Sequence, residues 1–435
     1  MPRARWTRPL AAGLAAVLLA ACATTHLPPI SYAGRDFRPE GDELALWAES
    51  RAEEERLLGA AALYDDAELA AYLDELLVAV APPGLLANRE IELTAHVLAD
   101  PTLNAFAYPH GSLYLHTGIL ARVEDEAQLA TVLAHELSHV EGRHLLRHRR
   151  AAQNREIGFT IAAVAASVIL AEEVGEQLWK GDWGEAALLD LFGQLAIGLG
   201  LQLALVASVN GYGRDLEREA DDGAMRMLRG AGYDLAAAPA VYQALLDDHG
   251  ERPSGLEQYF FGSHPRLEER VAQSRESLRT HPPAEAPSAP ADPDRFERLL
   301  APLVRDNAGM NLELGRLELA GYELARARRA MPGDAETRYL LGLLALARAE
   351  EAGSEAEAAA HRDDARGELL QAAALAPGAG HAGAHRELAH LALGDGDRAG
   401  ACAHLRSSLD ADPEQESAAD LADLLDSLLA EGVCP

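Results

Sequence analysis

The chain has 435 residues, with 38 Lys and Arg against 69 Asp and Glu, for a formal net charge of −31. So acidic a balance argues against nucleic acid as a partner and for solubility at high concentration. The length left after an N-terminal leader, about 410 residues, suggests two to three domains.

Arg3, Arg5 and Arg8 precede an apolar stretch from Leu10 to Ala21, which reads as a secretory signal over residues 1–21. Leu19-Ala20-Ala21-Cys22 resembles a bacterial lipobox, which would make Cys22 the lipidated first residue of the mature chain. Acyl chains at Cys22 would hold the protein at a bilayer surface without a spanning helix. Ala23, rather than Asp, in the next position favours the outer membrane. Residues 22–40 contain Pro and Thr with little periodicity and suit a tether. Glu43 to Val80 has helical spacing, broken by Pro82-Pro83-Gly84. Ile91 to Leu98 and Ser112 to His116 alternate as strands do and predict a small antiparallel sheet, whose edge would accept an extended peptide. His96, His110 and His116 lie in or near these strands and read as structural or surface residues.

Ala127 to Leu146 is periodic as a helix and contains His135-Glu136-Leu137-Ser138-His139, an H-E-x-x-H pattern. Residues four apart share a helix face, so His135 and His139 can reach one metal ion. Glu136 is turned about 100° around the axis, toward where a water activated by that metal would sit. Such a site needs a third ligand, and two candidates exist. His144 nearly completes H-E-x-x-H-x-x-G-x-x-H, but it arrives one residue early. If the helix continues, His144 points half a revolution away from the metal and reads as a surface residue. The other candidate is Glu217, which shares a face with Asp221 in a second helix, Arg214 to Leu228, that stops at Gly230 and Gly232. Glu217 would give a His₂Glu set with one open position. Asp221 is placed to accept the other ring N–H of a bound histidine, namely His135. Glu219 points elsewhere and reads as a solvated carboxylate.

Between these motifs run two apolar segments, 157–170 and 188–209. The first is too short to span a bilayer, and Asp190, Gln194 and Gln202 interrupt the second, favouring a helical hairpin beside the site. Trp179 and Trp183, in the connector, suit an interfacial or lid loop. A Pro-rich stretch at 281–294 marks a linker. Beyond it, Pro332, Pro377 and Pro413 recur after helical pieces, and 384–393 with 398–409 looks like one tetratricopeptide repeat in a degenerate array. His381, His385, His390 and His404 share no metal-binding face. Cys402 and Cys434 are the remaining cysteines, and their spacing leaves a disulfide open.

Asn104-Ala105-Phe106-Ala107, Thr117-Gly118-Ile119-Leu120, the His135–His139 motif, Arg214 to Asp221, Ala231-Gly232-Tyr233-Asp234, and Ser263-His264-Pro265 with Arg270 together resemble the M48 family of zinc metallopeptidases. Gly213, where the family often has Ser, is a small departure. The resemblance implies a gluzincin-type endopeptidase over 41–280, with one zinc per chain on His135, His139 and Glu217. Glu136 would be the general base, and Asp221 would support a ligand from behind. His264 would be a fourth ligand that latches the site, or a donor to the oxyanion. The expected fold is mainly α (α+β): a metalloprotease domain with a small antiparallel sheet, then a helical tetratricopeptide-like domain over 295–435. Implied substrates are misfolded or stalled envelope proteins, including outer-membrane β-barrels, with outer-membrane assembly machinery as a partner of the repeats and the periplasm as the location. A competing reading is a chaperone or assembly scaffold with a structural or latched metal.

Overall fold

The computed structural model describes residues 24–60, 63–155, 213–250, 267–280, 282 and 292–434. Cys22, His264, both apolar segments and the Trp179–Trp183 connector lie outside the described residues. The described residues form two compact units. One takes its residues from Met1–Val97, Leu103–Leu115 and Ala127–Pro290, and the other from Leu98–Thr102, His116–Glu126 and Ala291–Pro435.

In the first unit a short helix α1 (Ile30–Ala33) precedes α2 (Asp42–Ala60) and α3 (Ala67–Val80). Asp66 caps α3, its carboxylate accepting from the backbone N–H groups of Glu68 and Leu69. Leu69, Tyr72, Leu73, Leu76, Leu77 and Val80 recur at three and four residues, so one stripe of α3 is buried. Each such leucine contributes about 2 kcal/mol of apolar burial. A turn of helix α4 (Pro83–Leu86) leads to β1 (Thr94–Leu98), β2 (Ala105–Ala107) and β3 (Ser112–His116), in the order β1-β3-β2. β2 and β3 pair antiparallel with Phe106 opposite Tyr114. The sheet is mixed, so the antiparallel expectation holds for the β2–β3 pair alone. β3 was also expected to alternate, yet all five of its residues are buried. As the central strand it is covered on both faces, which turns an alternating pattern into a continuous core strand.

Helix α5 (Thr117–Arg122) follows, and then α6 (Glu126–Glu141). The helix predicted to run to Leu146 instead breaks at Gly142 and Arg143 and resumes over residues 144–155. α7 (Arg214–Ala231) ends at Gly232, whose φ of 81° closes the helix in the left-handed conformation that glycine adopts without penalty. α8 (Ala237–Gly250) and α9 (Leu267–Thr280) complete this unit and pack on each other. Among the described residues, no helix is long and apolar enough to cross a membrane.

The second unit contains α10 (Pro293–Glu313), α11 (Leu317–Ala330), α12 (Ala335–Glu351), α13 (Glu355–Leu375), α14 (Ala382–Gly394), α15 (Arg398–Ala411) and α16 (Ala418–Ala430). Packing is closest within the pairs α10–α11, α12–α13 and α14–α15. Connectors this short make the paired helices antiparallel neighbours. Pro332, Pro377 and Pro413 each follow the second helix of a pair, where an imino nitrogen cannot extend the ladder. α5 belongs to this unit and packs on α10, with Arg326 of α11 donating to the carbonyls of Ala121 and Val123. A disulfide joins Cys402 of α15 to Cys434 beyond α16.

Candidate metal centre

α6 and α7 carry the donors. His135 Nε2 and His139 Nε2 lie 3.1 Å apart. Glu217 brings one oxygen to 3.6 Å from His135 Nε2 and the other to 3.7 Å from His139 Nε2. Zinc donors about 2.0–2.2 Å from the ion are spaced about 3.3–3.5 Å in a tetrahedron, so these three side chains lie within a few tenths of an ångström of the spacing zinc needs. They form the one group of at least three candidate ligands found among the described residues. The approach of the two helices depends on Gly223 of α7. A Cβ there would stand 1.9 Å from Ser138 Oγ on α6, so no larger residue leaves the helices this close. Glu136 follows His135 on the same turn and is buried with the ligands.

Behind His135 stands a charged cluster. Its Nδ1 is 3.0 Å from Asp221 Oδ1, the partner expected from the sequence. Arg270 of α9 donates to both oxygens of Asp221, the closest contact being 2.8 Å, and its Nη2 is 3.0 Å from His135 Nδ1. Tyr242 of α8 donates its hydroxyl to Asp221 at 2.9 Å, and the Arg270 guanidinium lies 4.0 Å over the Tyr242 ring. Burial and Arg270 disfavour the His135 imidazolium, but the bonds to Asp221 and Glu217 outweigh them and raise its pKa to about 9. Burial alone would raise Asp221, yet Arg270 and His135 hold it at about 2. Tyr242 has no motif around it, and Arg270 entered only among the residues of the family resemblance, with no role attached. Their contacts with Asp221 were not legible, because two further helices bring them there.

Behind His139 the arrangement differs. His144 was expected to face away from the metal as a surface residue. Instead it is fully buried, with Nδ1 2.9 Å from His139 Nδ1. The correction comes from the helix break: Arg143 has φ of 55°, a left-handed conformation that costs about 1 kcal/mol and resets the helical phase. Arg143 is held there by paired hydrogen bonds to Glu43 of α2 and by its guanidinium over the Phe37 ring at 5.4 Å. A Cβ on Gly142 would come within 2.3 Å of His144 Nε2, so the turn needs glycine for space. Glu219 was expected to be a solvated carboxylate. It is partly exposed, but Oε1 lies 3.7 Å from His144 Nε2 and accepts from Arg147 at 2.8 Å. His144 and Arg147, against a smaller effect of burial, hold Glu219 at about 2.

The three histidines in or near the strands make structural contacts. His110 Nε2 is 2.6 Å from Glu54, and His116 bonds Thr102 at 2.8 Å with Asp100 nearby. His96 stacks on Tyr114. Ala107, at the end of β2, and Pro109 line a small cavity of about 10 Å³ together with His139 and Val140.

Residues 67–278 match the model of Peptidase family M48. Over 280 residues, 62% of this chain, it is 27% identical to the beta-barrel assembly-enhancing protease of Escherichia coli, covering 52% of that protein. A Vibrio cholerae protein provisionally given the same name is 33% identical over 190 residues, 44% of this chain and 35% of its own. The mitochondrial metalloendopeptidase OMA1 of Schizosaccharomyces pombe is 32% identical over 192 residues, 43% of this chain and 48% of its own. The chain thus spans a third to a half of the length of these relatives.

Proposed function

Residues 67–278 belong to peptidase family M48, and from that premise we propose that the chain is a zinc-dependent endopeptidase. The observation that carries the proposal is the convergence of His135, His139 and Glu217, from two helices, within 3.7 Å of one another and beside the buried Glu136. These three residues would hold one zinc ion. When bound, zinc supplies a Lewis acid that lowers the pKa of water and polarises a carbonyl. The chain's own part in the reaction is proton handling and orientation. Glu136 takes a proton from the attacking water and delivers it to the amide nitrogen as the C–N bond breaks. Asp221 fixes His135 from behind by accepting from its Nδ1–H. β2 is an edge strand of the sheet, and there an extended substrate would add a strand.

The relatives named as beta-barrel assembly-enhancing proteases support a place in the bacterial envelope and polypeptide substrates, which on this reading are misfolded or stalled envelope proteins. On this reading Cys22 carries a lipid anchor, and the paired helices of the second unit act as tetratricopeptide-like repeats that present a partner or substrate. His264 would close over the metal as a latch.

Glu136→Gln tests the chemistry. Hydrolysis of an unfolded protein should fall by about 10²–10⁴-fold with zinc content unchanged. Activity equal to that of the unsubstituted protein would remove Glu136 from the mechanism. His264→Ala tests the latch: proteolysis should rise, and no rise would discard it.

A further inference from the structure

His139 and His144 meet through the same ring atom, Nδ1 to Nδ1 at 2.9 Å, and only one of the two can carry the proton of that bond. The rest of the geometry decides which. His139 turns Nε2 toward His135 and Glu217, at 3.1 and 3.7 Å, so its ligating lone pair is on Nε2 and its proton on Nδ1. His144 must then accept at Nδ1 and carry its own proton on Nε2. That nitrogen faces the Glu219 carboxylate at 3.7 Å, and Arg147 anchors the carboxylate at 2.8 Å. The ring of His144 has no exposed surface, and Gly142 leaves the space that it fills.

We infer that His144 is a positioning residue for zinc: an imidazole that accepts from His139 Nδ1–H and fixes its tautomer and ring angle, with the Glu219 carboxylate 3.7 Å from its outer nitrogen. The inference rests on the His₂Glu reading of the site. It assigns to His139 the kind of support that a carboxylate gives His135, supplied here by an imidazole with a carboxylate one step further out. Partners that orient a metal-bound histidine typically change metal affinity by about 10–100-fold.

Zinc affinity, measured by competition with a chromophoric chelator on the full chain, separates this role from simple core filling. His144→Asn places an amide oxygen where Nδ1 stood and keeps the acceptor, so affinity should stay within about threefold. His144→Leu fills the space without an acceptor and should bind about 10–100-fold more weakly. Equal affinities for the Asn and Leu proteins would overturn the inference. So would a loss in the Leu protein that follows its metal-free stability in urea. If the Leu protein does not fold, nitrogen-15 spectra of the zinc-loaded, unsubstituted protein decide. They should show His139 protonated at Nδ1 and His144 protonated at Nε2, and a His144 protonated at Nδ1 would refute the proposal. Failure of the unsubstituted protein to bind one zinc would instead strike the His₂Glu reading beneath it.

Discussion

The two candidate histidine ligands sit on one helix, four residues apart, yet their surroundings solve the same problem in opposite ways. His135 is backed by a formal ion pair, Asp221 with Arg270, sealed under Tyr242. His139 is backed by a neutral ring, and the charge appears only at Glu219 and Arg147, where the protein meets solvent. Taking both charges of an ion pair out of water is costly, and removing either member leaves the other stranded. A neutral acceptor avoids that cost and gives up some electrostatic strength. The His135 side should therefore be the brittle one and the His139 side the tolerant one.

The largest expected effect is on the brittle side. Arg270→Ala leaves His135, 3.0 Å away, as the one remaining counter-charge to the buried Asp221 among the described residues, and should destabilise the metal-free protein by up to about 3–5 kcal/mol, read by urea unfolding. A loss below about 1 kcal/mol would mean that water reaches Asp221 and that the contrast is false. Next in size is a control in the second unit. Cys402→Ser removes the link to Cys434, 32 residues away, and should cost that unit about 3–4 kcal/mol while leaving zinc affinity unchanged.

Asp221→Asn keeps the shape but not the charge, and should weaken zinc binding by about 10–100-fold. It should also flatten the acid limb of stability. Asp221 titrates lower folded than unfolded, so its contribution is complete above pH about 4 and is lost as pH falls through about 2. Unfolding of the metal-free protein across that range would show the difference. Gly142→Ala forces a methyl group toward His144 and should lower zinc affinity more than it lowers stability, measured side by side. The smallest effect belongs to the solvent end of the His139 chain. Glu219→Gln retains an acceptor at a partly exposed position and should change stability by less than about 1 kcal/mol.

Much of this was legible from residue order. The i, i+4 spacing of His135 and His139, the shared face of Glu217 and Asp221, the closing Gly232 and the prolines after each helix pair all follow from helical geometry. Those features depend on the 3.6-residue turn and on local backbone chemistry, which travel with the sequence. The mixed sheet and the full burial of β3 did not follow, because a strand's neighbours are chosen by the rest of the fold.

His144 marks the boundary most clearly. Helical periodicity placed it on the far side of α6, and that is correct for an unbroken helix. The left-handed turn at Arg143 reverses it, and Arg143 is held by Glu43, one hundred residues earlier in the chain. Sequence alone determined which side chains could share a face of a regular helix. Tertiary contacts decided where that helix stops being regular, since only a long-range ion pair and aromatic packing offset a strained backbone that no local preference selects.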